Sequence, residues 1–292
     1  MIRSYFIVGL IMLTFFVISF LTNIIGPLIP DMIRGFSLSL TLVAIFPFAF
    51  FIAYGVMSIP SGMMVEKFNE KKIMIIAFMV AFTGSLLLAL FPNYLSAVFS
   101  LFLIGCGMAM LQVVINPLLR TAGGEEHYAF YSIMAQLVFG LASFTSPLVY
   151  SSFIFKLKQE DHDGSVLSEL SKHVPAQLPW ISMYWLFAVI CLLMIIILLF
   201  SRFPKVELKT EEKAGALKTH IWLFKKRIVV LFFISMFCYV GTEQGFANWV
   251  SQFLFTYHGY DPQKTGAETV AYFWGLMTAG GVLGLLLVKL MD

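Results

Sequence analysis

The chain alternates long apolar runs with short polar breaks. A helix that crosses the hydrocarbon core of a bilayer needs about 20 mostly apolar residues. Runs of this length predict eight membrane-spanning helices, at residues 5–29, 41–64, 72–91, 95–119, 129–152, 181–203, 228–255 and 267–289. The breaks hold turn residues and charges, among them Pro30-Asp31 after the first span. The pattern therefore predicts an all-α, polytopic membrane protein.

Composition supports a membrane environment. Of the 292 residues, 60% are apolar and 12% are charged, whereas soluble domains contain about 45–50% apolar and about 25% charged residues. The first apolar run continues past residue 20 without a small-residue cleavage site, so it is interpreted as a spanning helix and not as a signal peptide. The net charge of +3 is too small to indicate a nucleic-acid partner.

The loops predict an orientation and a division of the chain. Most of the 19 Lys and Arg residues fall in the N-terminus and the alternate loops that share its side, which predicts a cytoplasmic N-terminus. Six helices precede a long basic connection and two follow it. The predicted parts are a six-helix bundle at 1–203, a cytoplasmic linker at 204–227 and a partial second bundle at 228–292.

The seventh span carries the most informative polar residue, Glu243. We expect it to be the only acidic residue in the core of a span, where an ionised carboxylate costs about 2.5 kcal/mol or more. It is interpreted as a proton carrier or a sugar-hydroxyl acceptor, the alternative being a structural hydrogen bond to a neighbouring helix. Gln244, Asn248 and Gln252 follow at four-residue spacing and share one face. Trp249 adds an aromatic surface on which a sugar ring can stack.

Amide side chains form a second group of candidate binding residues. Gln112 and Asn116 lie one turn apart in the fourth span, beside Pro117, which removes a backbone hydrogen bond. Asn23 likewise precedes a proline in the first span, and matched proline-interrupted helices point to a transporter binding site. Gln136 in the fifth span is a further candidate. The alternative is that these amides hold membrane helices together.

A charged cluster follows the second span. Glu66, Lys67, Lys71 and Lys72 lie at a predicted helix boundary on the side of the N-terminus. They are interpreted as a gating latch that pairs with a neighbouring helix end. The alternative is that they only set the topology of the chain.

Other kinds of site are not indicated. The three cysteines lie inside apolar spans and have neither metal-ligand spacing nor a disulfide framework. The five histidines lie in loops or at span ends, and the nearest candidate for enzyme chemistry is a plain loop pair, His258 and Asp261. The sequence predicts no metal site, no cofactor and no enzymatic activity.

Several stretches resemble motifs of one transporter family. They lie at residues 59–62 with 70–72, 112–117, 135–136 and 239–243, with a further similar stretch at 272–275. Over essentially its whole length the chain is similar to the fucose–galactose–glucose:proton symporters of the major facilitator superfamily, the L-fucose permease type. The resemblance implies the major facilitator fold, of which this chain supplies a complete six-helix N-terminal half and the first two helices of the C-terminal half. Because that family has twelve helices, the chain is interpreted as a fragment or as the product of a gene that ends early.

The resemblance also implies a monomeric transporter in the bacterial inner membrane that carries a monosaccharide, with protons, by alternating access. Asn116, Gln136 and Glu243 carry over as matched polar residues. Four positions depart from the family pattern: Gln112 replaces a Glu, Gly26 an acid, Phe139 an Asn and Gly281 an Arg. Because the family associates these positions with coupling and sugar binding, a uniporter or an exporter of another small polar solute remains the alternative.

Overall fold

The computed structural model describes residues 5–158, 173–204, 222–223 and 225–291, and these form helices and connecting turns without a strand. The all-α prediction is confirmed. The predicted linker at 204–227 lies mostly outside the described residues. The α-helices are α1 (Tyr5–Asn23), α2 (Ile25–Phe36), α3 (Leu40–Val43), α4 (Ile45–Lys67), α5 (Glu70–Leu90), α6 (Tyr94–Gly123), α7 (Tyr128–Lys158), α8 (Ser182–Phe200), α9 (Arg227–His258) and α10 (Ala267–Met291).

The observed helices follow the predicted spans closely. Within the described residues, seven helical segments are long and apolar enough to cross a membrane, and they coincide with the first seven predicted spans. Helix α10 occupies the eighth. Short 3₁₀ turns precede α7 and α8, and a π-helical turn at Pro262–Gly266 leads into α10.

The first span is longer than predicted. Helix α1 ends at Asn23 because Pro27 has no N–H to bond the Asn23 carbonyl, and α2 then continues to Phe36. The predicted break at Pro30-Asp31 is therefore wrong: Pro30 lies inside α2, and Asp31 is a helical residue with only 7% of its surface exposed. A proline removes one hydrogen bond, but packing against neighbouring helices sustains a membrane helix through it.

Helix α6 lies at the centre of the first six spans. Small residues let two neighbours approach its backbone. A Cβ atom at Gly105 would lie 2.9 Å from the Cβ of Ala53 on α4, and one at Gly107 would lie 3.0 Å from the Cβ of Ala81 on α5. Close packing of α4, α5 and α6 thus builds a large core that also includes α1, α2, α7 and α8.

Helices α9 and α10 have a small core of their own, formed by Ala247, Val250, Val270 and Trp274. We call α1–α8 the first group and α9–α10 the second group. The two groups meet where α9 packs on α2 and α10 packs on α7. The domain boundaries at 203 and 228 stay predictions.

Contact between the groups is concentrated near one end of the helices. We call this the Asp31 end, where α2 and α9 end and α10 begins; α4 ends and α5 begins at the opposite, Lys67 end. The buried residues of α9 all fall between Ala247 and Gln252, in its second half, whereas residues 231–242 are exposed. The second group therefore packs against the first from the middle of the helices towards the Asp31 end.

Candidate functional site

A cavity of about 440 Å³ lies between α7, α9 and α10. Its polar wall includes Gln136 and Ser143 from α7, Tyr239 and Glu243 from α9, and Thr278 from α10. Trp274 and several aliphatic side chains supply the apolar part of the wall. A mostly apolar cavity of this size with a few convergent polar groups is typical of a small-molecule site.

Glu243 lies on the cavity wall. Its side chain is half-buried, and its Oε1 accepts a 3.4 Å hydrogen bond from the Gln244 side chain. The hydroxyl of Tyr239, one turn earlier, also interacts with the Glu243 carboxylate. The arrangement gives the cavity a carboxylate that two neighbouring side chains support. The role of Glu243 in proton coupling stays a prediction.

Gln136 extends into the same cavity from α7 and is exposed there. The structure shows no hydrogen bond from its amide to the described residues, so both its donor and its acceptor atoms are available to a ligand. One turn later, Gly140 packs directly against Thr278 of α10. The absence of a side chain at Gly140 brings the two groups together beside the Gln136 amide.

Asn23 forms a polar bridge between α1 and α7. Its Nδ2 donates to Ser143 at 2.8 Å and to Ser19 at 3.2 Å, and only 5% of the residue is exposed. The two serine hydroxyls lie 2.7 Å apart, and Ser19 also donates to the Phe139 carbonyl at 2.6 Å. Among the described residues, Asn23 reaches the cavity lining through Ser143, and its amide joins two helices. Its predicted contribution to substrate binding stays a prediction.

Ser143 was not singled out as a binding candidate from the sequence. Its hydroxyl bonds the carbonyl of Phe139 in its own helix, as serine in a membrane helix commonly does. The sequence carries a weak signal, because Pro147 lies four residues later and leaves the Ser143 carbonyl without its helical donor. The bond to Asn23 depends on the packing of α1 against α7, which no local pattern reveals.

The two amides of α6 do not line the cavity. Gln112 is half-buried and Asn116 is exposed, and neither has a hydrogen-bond partner among the described residues. Their predicted contribution to substrate binding stays a prediction. The structure does not bring them together with Glu243 and Gln136.

The polar stripe of α9 occupies a different face from Glu243. Asn248 donates to the backbone carbonyl of Gln244 at 2.8 Å, and the Gln252 amide donates to Thr256 at 2.9 Å. Asn248 lies against Gly26 of α2 and is buried, while Trp249 packs against the large core. In this conformation the stripe is part of the contact between α2 and α9.

The charged cluster lies at the Lys67 end. Lys71 Nζ donates to the backbone carbonyls of Leu199 at 2.9 Å and Ser201 at 2.8 Å, where α8 ends. Lys71 thus pairs with a neighbouring helix end, as the gating hypothesis expects, but α8 belongs to the same group. Lys67 lies over the ring of the adjacent Phe68, 5.7 Å from its centroid.

The other two members of the charged cluster, Glu66 and Lys72, have exposed side chains. The contacts that the structure gives Lys67 and Lys71 stay inside the first group. A gating role for this cluster stays a prediction.

Asp31 is a second polar residue that sequence reasoning missed. The hydroxyl of Tyr150 on α7 donates to Asp31 Oδ2, and Gln263 Nε2 lies 3.0 Å from each carboxylate oxygen. A second acidic residue thus lies inside a spanning helix, towards its end, in addition to Glu243 in the middle of its span. Pro30-Asp31 resembles a turn in sequence, and the helix that surrounds it is stabilised by tertiary contacts.

No group of three or more metal-ligating side chains occurs in the part of the chain that the structure describes. The three cysteines are free, and those of α6 and α8 are buried. The polar groups of the cavity are suited to hydrogen bonding and proton exchange.

Comparison with known proteins identifies related sequences. The family model of the Major Facilitator Superfamily matches residues 11–292. A glucose/galactose transporter of Brucella abortus is 27% identical over 289 residues, 96% of this chain. A putative glucose/galactose transporter of Helicobacter pylori and the L-fucose-proton symporter of Escherichia coli are each 25% identical, over 94% and 82% of this chain. The chain spans 66%, 66% and 58% of these three proteins, respectively.

Solved structures show the same fold. A bacterial homologue of the human lysosomal transporter Spinster superposes with a TM-score of 0.75 at 16% identity, over 98% of this chain and 62% of that protein. The Escherichia coli fucose:proton symporter superposes with a TM-score of 0.61 at 21% identity, over 86% of this chain and 63% of that protein. The resemblance drawn from the sequence motifs is confirmed, and the chain belongs to the Major Facilitator Superfamily.

Proposed function

We propose that the protein carries a monosaccharide of the fucose, glucose and galactose class across the membrane, with protons, by alternating access. The observation that carries this proposal is the cavity between the two groups, in which a carboxylate, a free amide and aromatic rings converge. The relatives named as transporters of glucose, galactose and fucose support the same substrate class. The proposed location is the bacterial inner membrane, with a monomeric protein whose N-terminus is cytoplasmic.

The cavity offers the contacts that a sugar needs. The Gln136 amide donates and accepts hydrogen bonds, which matches the hydroxyl groups of a sugar. Tyr239 and Trp274 provide flat apolar surfaces beside those polar groups. In the proposed mechanism Glu243 binds a proton when the cavity opens to one side and releases it on the other, because the two environments differ in hydration.

The packing of the groups supports alternating access. The groups contact each other towards the Asp31 end, while the first half of α9 is exposed. With a cytoplasmic N-terminus, α2 ends at the outer surface, and the Asp31 end is the outer end. The conformation is then closed to the outside.

Uptake by the full-length protein in proteoliposomes tests the proposal. An inward proton gradient is expected to drive accumulation of a labelled fucose, glucose or galactose. Glu243→Gln is expected to abolish gradient-driven accumulation while sugar counterflow without a gradient continues, because the neutral side chain keeps its hydrogen bonds. Glu268→Gln, outside the cavity lining in the same group, is the matched control and should behave as wild type.

Two results would contradict different parts of the proposal. If no monosaccharide of this class is taken up under a proton gradient or exchanged in counterflow, the proposed substrate is wrong. If Glu243→Gln leaves accumulation and its pH dependence unchanged, the proposed role of Glu243 is wrong.

One observation favours a second candidate function, a uniporter or an exporter of another small polar solute. Gly26 stands where the related symporters have an acid, and a side chain there would overlap the backbone carbonyl of Ala247 on α9. The close packing of α2 and α9 thus excludes a carboxylate at this position. Sugar counterflow without accumulation under a proton gradient would support the uniporter.

A further inference from the structure

Asp31 is a buried carboxylate at the contact between the two groups. Its two oxygens accept hydrogen bonds from Tyr150 on α7 and from Gln263 in the π-helical turn before α10. Tyr150 is fully buried, and Asp31 is 7% exposed. Three segments that are far apart in sequence therefore meet at one side chain, and one of the three belongs to the second group.

The hydrogen bonds require an acceptor at Asp31. The Tyr150 hydroxyl and the Gln263 amide nitrogen both point their donor atoms at the carboxylate. Bonds of this kind to an ionised carboxylate are stronger than neutral ones. Breaking the Tyr150 bond would take the acceptor away from a fully buried hydroxyl, which is costly. The other charged groups that act on the Tyr150 hydroxyl are Arg34 on α2 and Asp261 before the turn.

Neighbouring contacts hold the same end closed. The guanidinium of Arg34 lies over the Phe255 ring of α9, 4.2 Å from its centroid. Further into the membrane, Gly26 lies against the Ala247 carbonyl of α9. These contacts also join α2 to the second group. Among these contacts, that of Asp31 differs because its carboxylate accepts hydrogen bonds both from α7 and from the turn that contains Gln263.

We propose that Asp31, Tyr150 and Gln263 form a latch that closes the Asp31 end of the transport pathway. Asp31 acts as a positioning residue: its carboxylate ties the start of α10 to α2 and α7. Opening of this end separates Gln263 from Asp31, so the strength of the latch sets the balance between the two access states. The inference rests on the alternating-access part of the proposed function and not on the identity of the substrate.

Thiol labelling of the reconstituted full-length protein tests the latch without any sugar. All native cysteines, Cys106, Cys191 and Cys238 among them, are first replaced by serine. Gln252→Cys reports on the Asp31 end, because Gln252 is 8% exposed on the half of α9 that packs against α2. Gln136→Cys, in the cavity, reports on access from the Lys67 end. A membrane-impermeant maleimide is applied to each side.

Asp31→Asn is expected to raise labelling of Gln252→Cys by about tenfold and to lower labelling of Gln136→Cys. The reason is that loss of one charge-assisted hydrogen bond shifts the equilibrium between the two access states by about tenfold. Tyr150→Phe should shift both reporters in the same directions. Tyr184→Phe, at a fully buried tyrosine of α8, is the matched control and should change neither. Asp31→Glu, which keeps a carboxylate, should show a labelling pattern closer to the native one than Asp31→Asn does.

The opposite changes at the two reporters separate a latch from a structural role. A variant that merely loosens the protein raises labelling at both positions. The proposal is overturned if Asp31→Asn raises both, or if it leaves Gln252→Cys labelling within about twofold of the native value. Because labelling does not depend on transport, the result stands whether or not the proposed sugar is carried.

Discussion

At the scale of single residues, the surroundings decide what a polar side chain in a span does. Asn23 and Gln136 are both amides, and both are binding candidates in the sequence. The Asn23 amide is enclosed by two serine hydroxyls, whereas the Gln136 amide faces a cavity and has no partner among the residues that the structure describes. The same side-chain chemistry therefore stabilises a helix pair in one place and offers a binding group in the other.

The bridge between α1 and α7 gives the first stability prediction. Ser143→Ala removes partners from Asn23 and Ser19, and hydrogen bonds between membrane helices contribute about 1 kcal/mol. We expect the unfolding free energy in detergent to fall by about this amount. The matched control is Ser58→Ala, because the Ser58 hydroxyl is exposed and donates to the Tyr54 carbonyl in its own helix. Equal stability of the two variants would contradict the bridge.

At the scale of secondary-structure elements, helix ends explain contacts that the sequence left open. Lys71, in the first turn of α5, reaches the last carbonyls of α8. A cation at a helix C-terminus is favourable because it meets unpaired carbonyls and the negative end of the helix dipole. In this structure Lys71 therefore stabilises α8, whatever part the charged cluster takes in gating.

Replacement of Lys71 separates these two roles. Lys71→Met should lower the unfolding free energy by about 0.5–1 kcal/mol, while Lys72→Met, at an exposed neighbour, should have no measurable effect. The measurement is thermal unfolding of both variants alongside initial uptake rates. If Lys71→Met leaves stability unchanged but stops uptake, the cap interpretation fails and the gating hypothesis gains support.

At the scale of the whole molecule, the two groups are held together by backbone proximity as well as by polar contacts. Gly26 meets the Ala247 carbonyl, Gly140 meets Thr278, and a Cβ atom at Gly275 would lie 2.9 Å from the Phe144 ring. Small residues permit such close approach between membrane helices. The crossing pairs α2–α9 and α7–α10 thus define the closed Asp31 end and one wall of the cavity.

A methyl group at Gly26 tests this contact. Gly26→Ala is expected to push α2 from α9 and to reduce uptake several-fold, because the atom it meets is backbone. In an ordinary helix the same change stabilises by about 1 kcal/mol. Gly9→Ala is the control, because a Cβ atom at this position of α1 would meet open space. This variant should keep full uptake. Unchanged uptake in Gly26→Ala would show that α2 and α9 do not need this close approach.

The sequence by itself determined the first seven spans and their approximate positions, because each transmembrane helix must be long and apolar wherever it lies in the fold. It also identified Glu243 as an unusual charge, since a carboxylate in the middle of a span is costly to place in lipid. The resemblance to the family followed from short motifs, which can be recognised in the sequence without the structure.

The tertiary structure alone decided which polar groups meet. Gln136 and Glu243 share a cavity, Asn248 and Gln252 line a helix contact, and Asp31 lies in a helix although Pro30 resembles a break. A hydrogen-bond partner more than 100 residues away leaves no periodic trace in either segment, because periodicity records only which face of a helix is apolar. The latch at Asp31 is visible only when α2, α7 and the start of α10 are brought together.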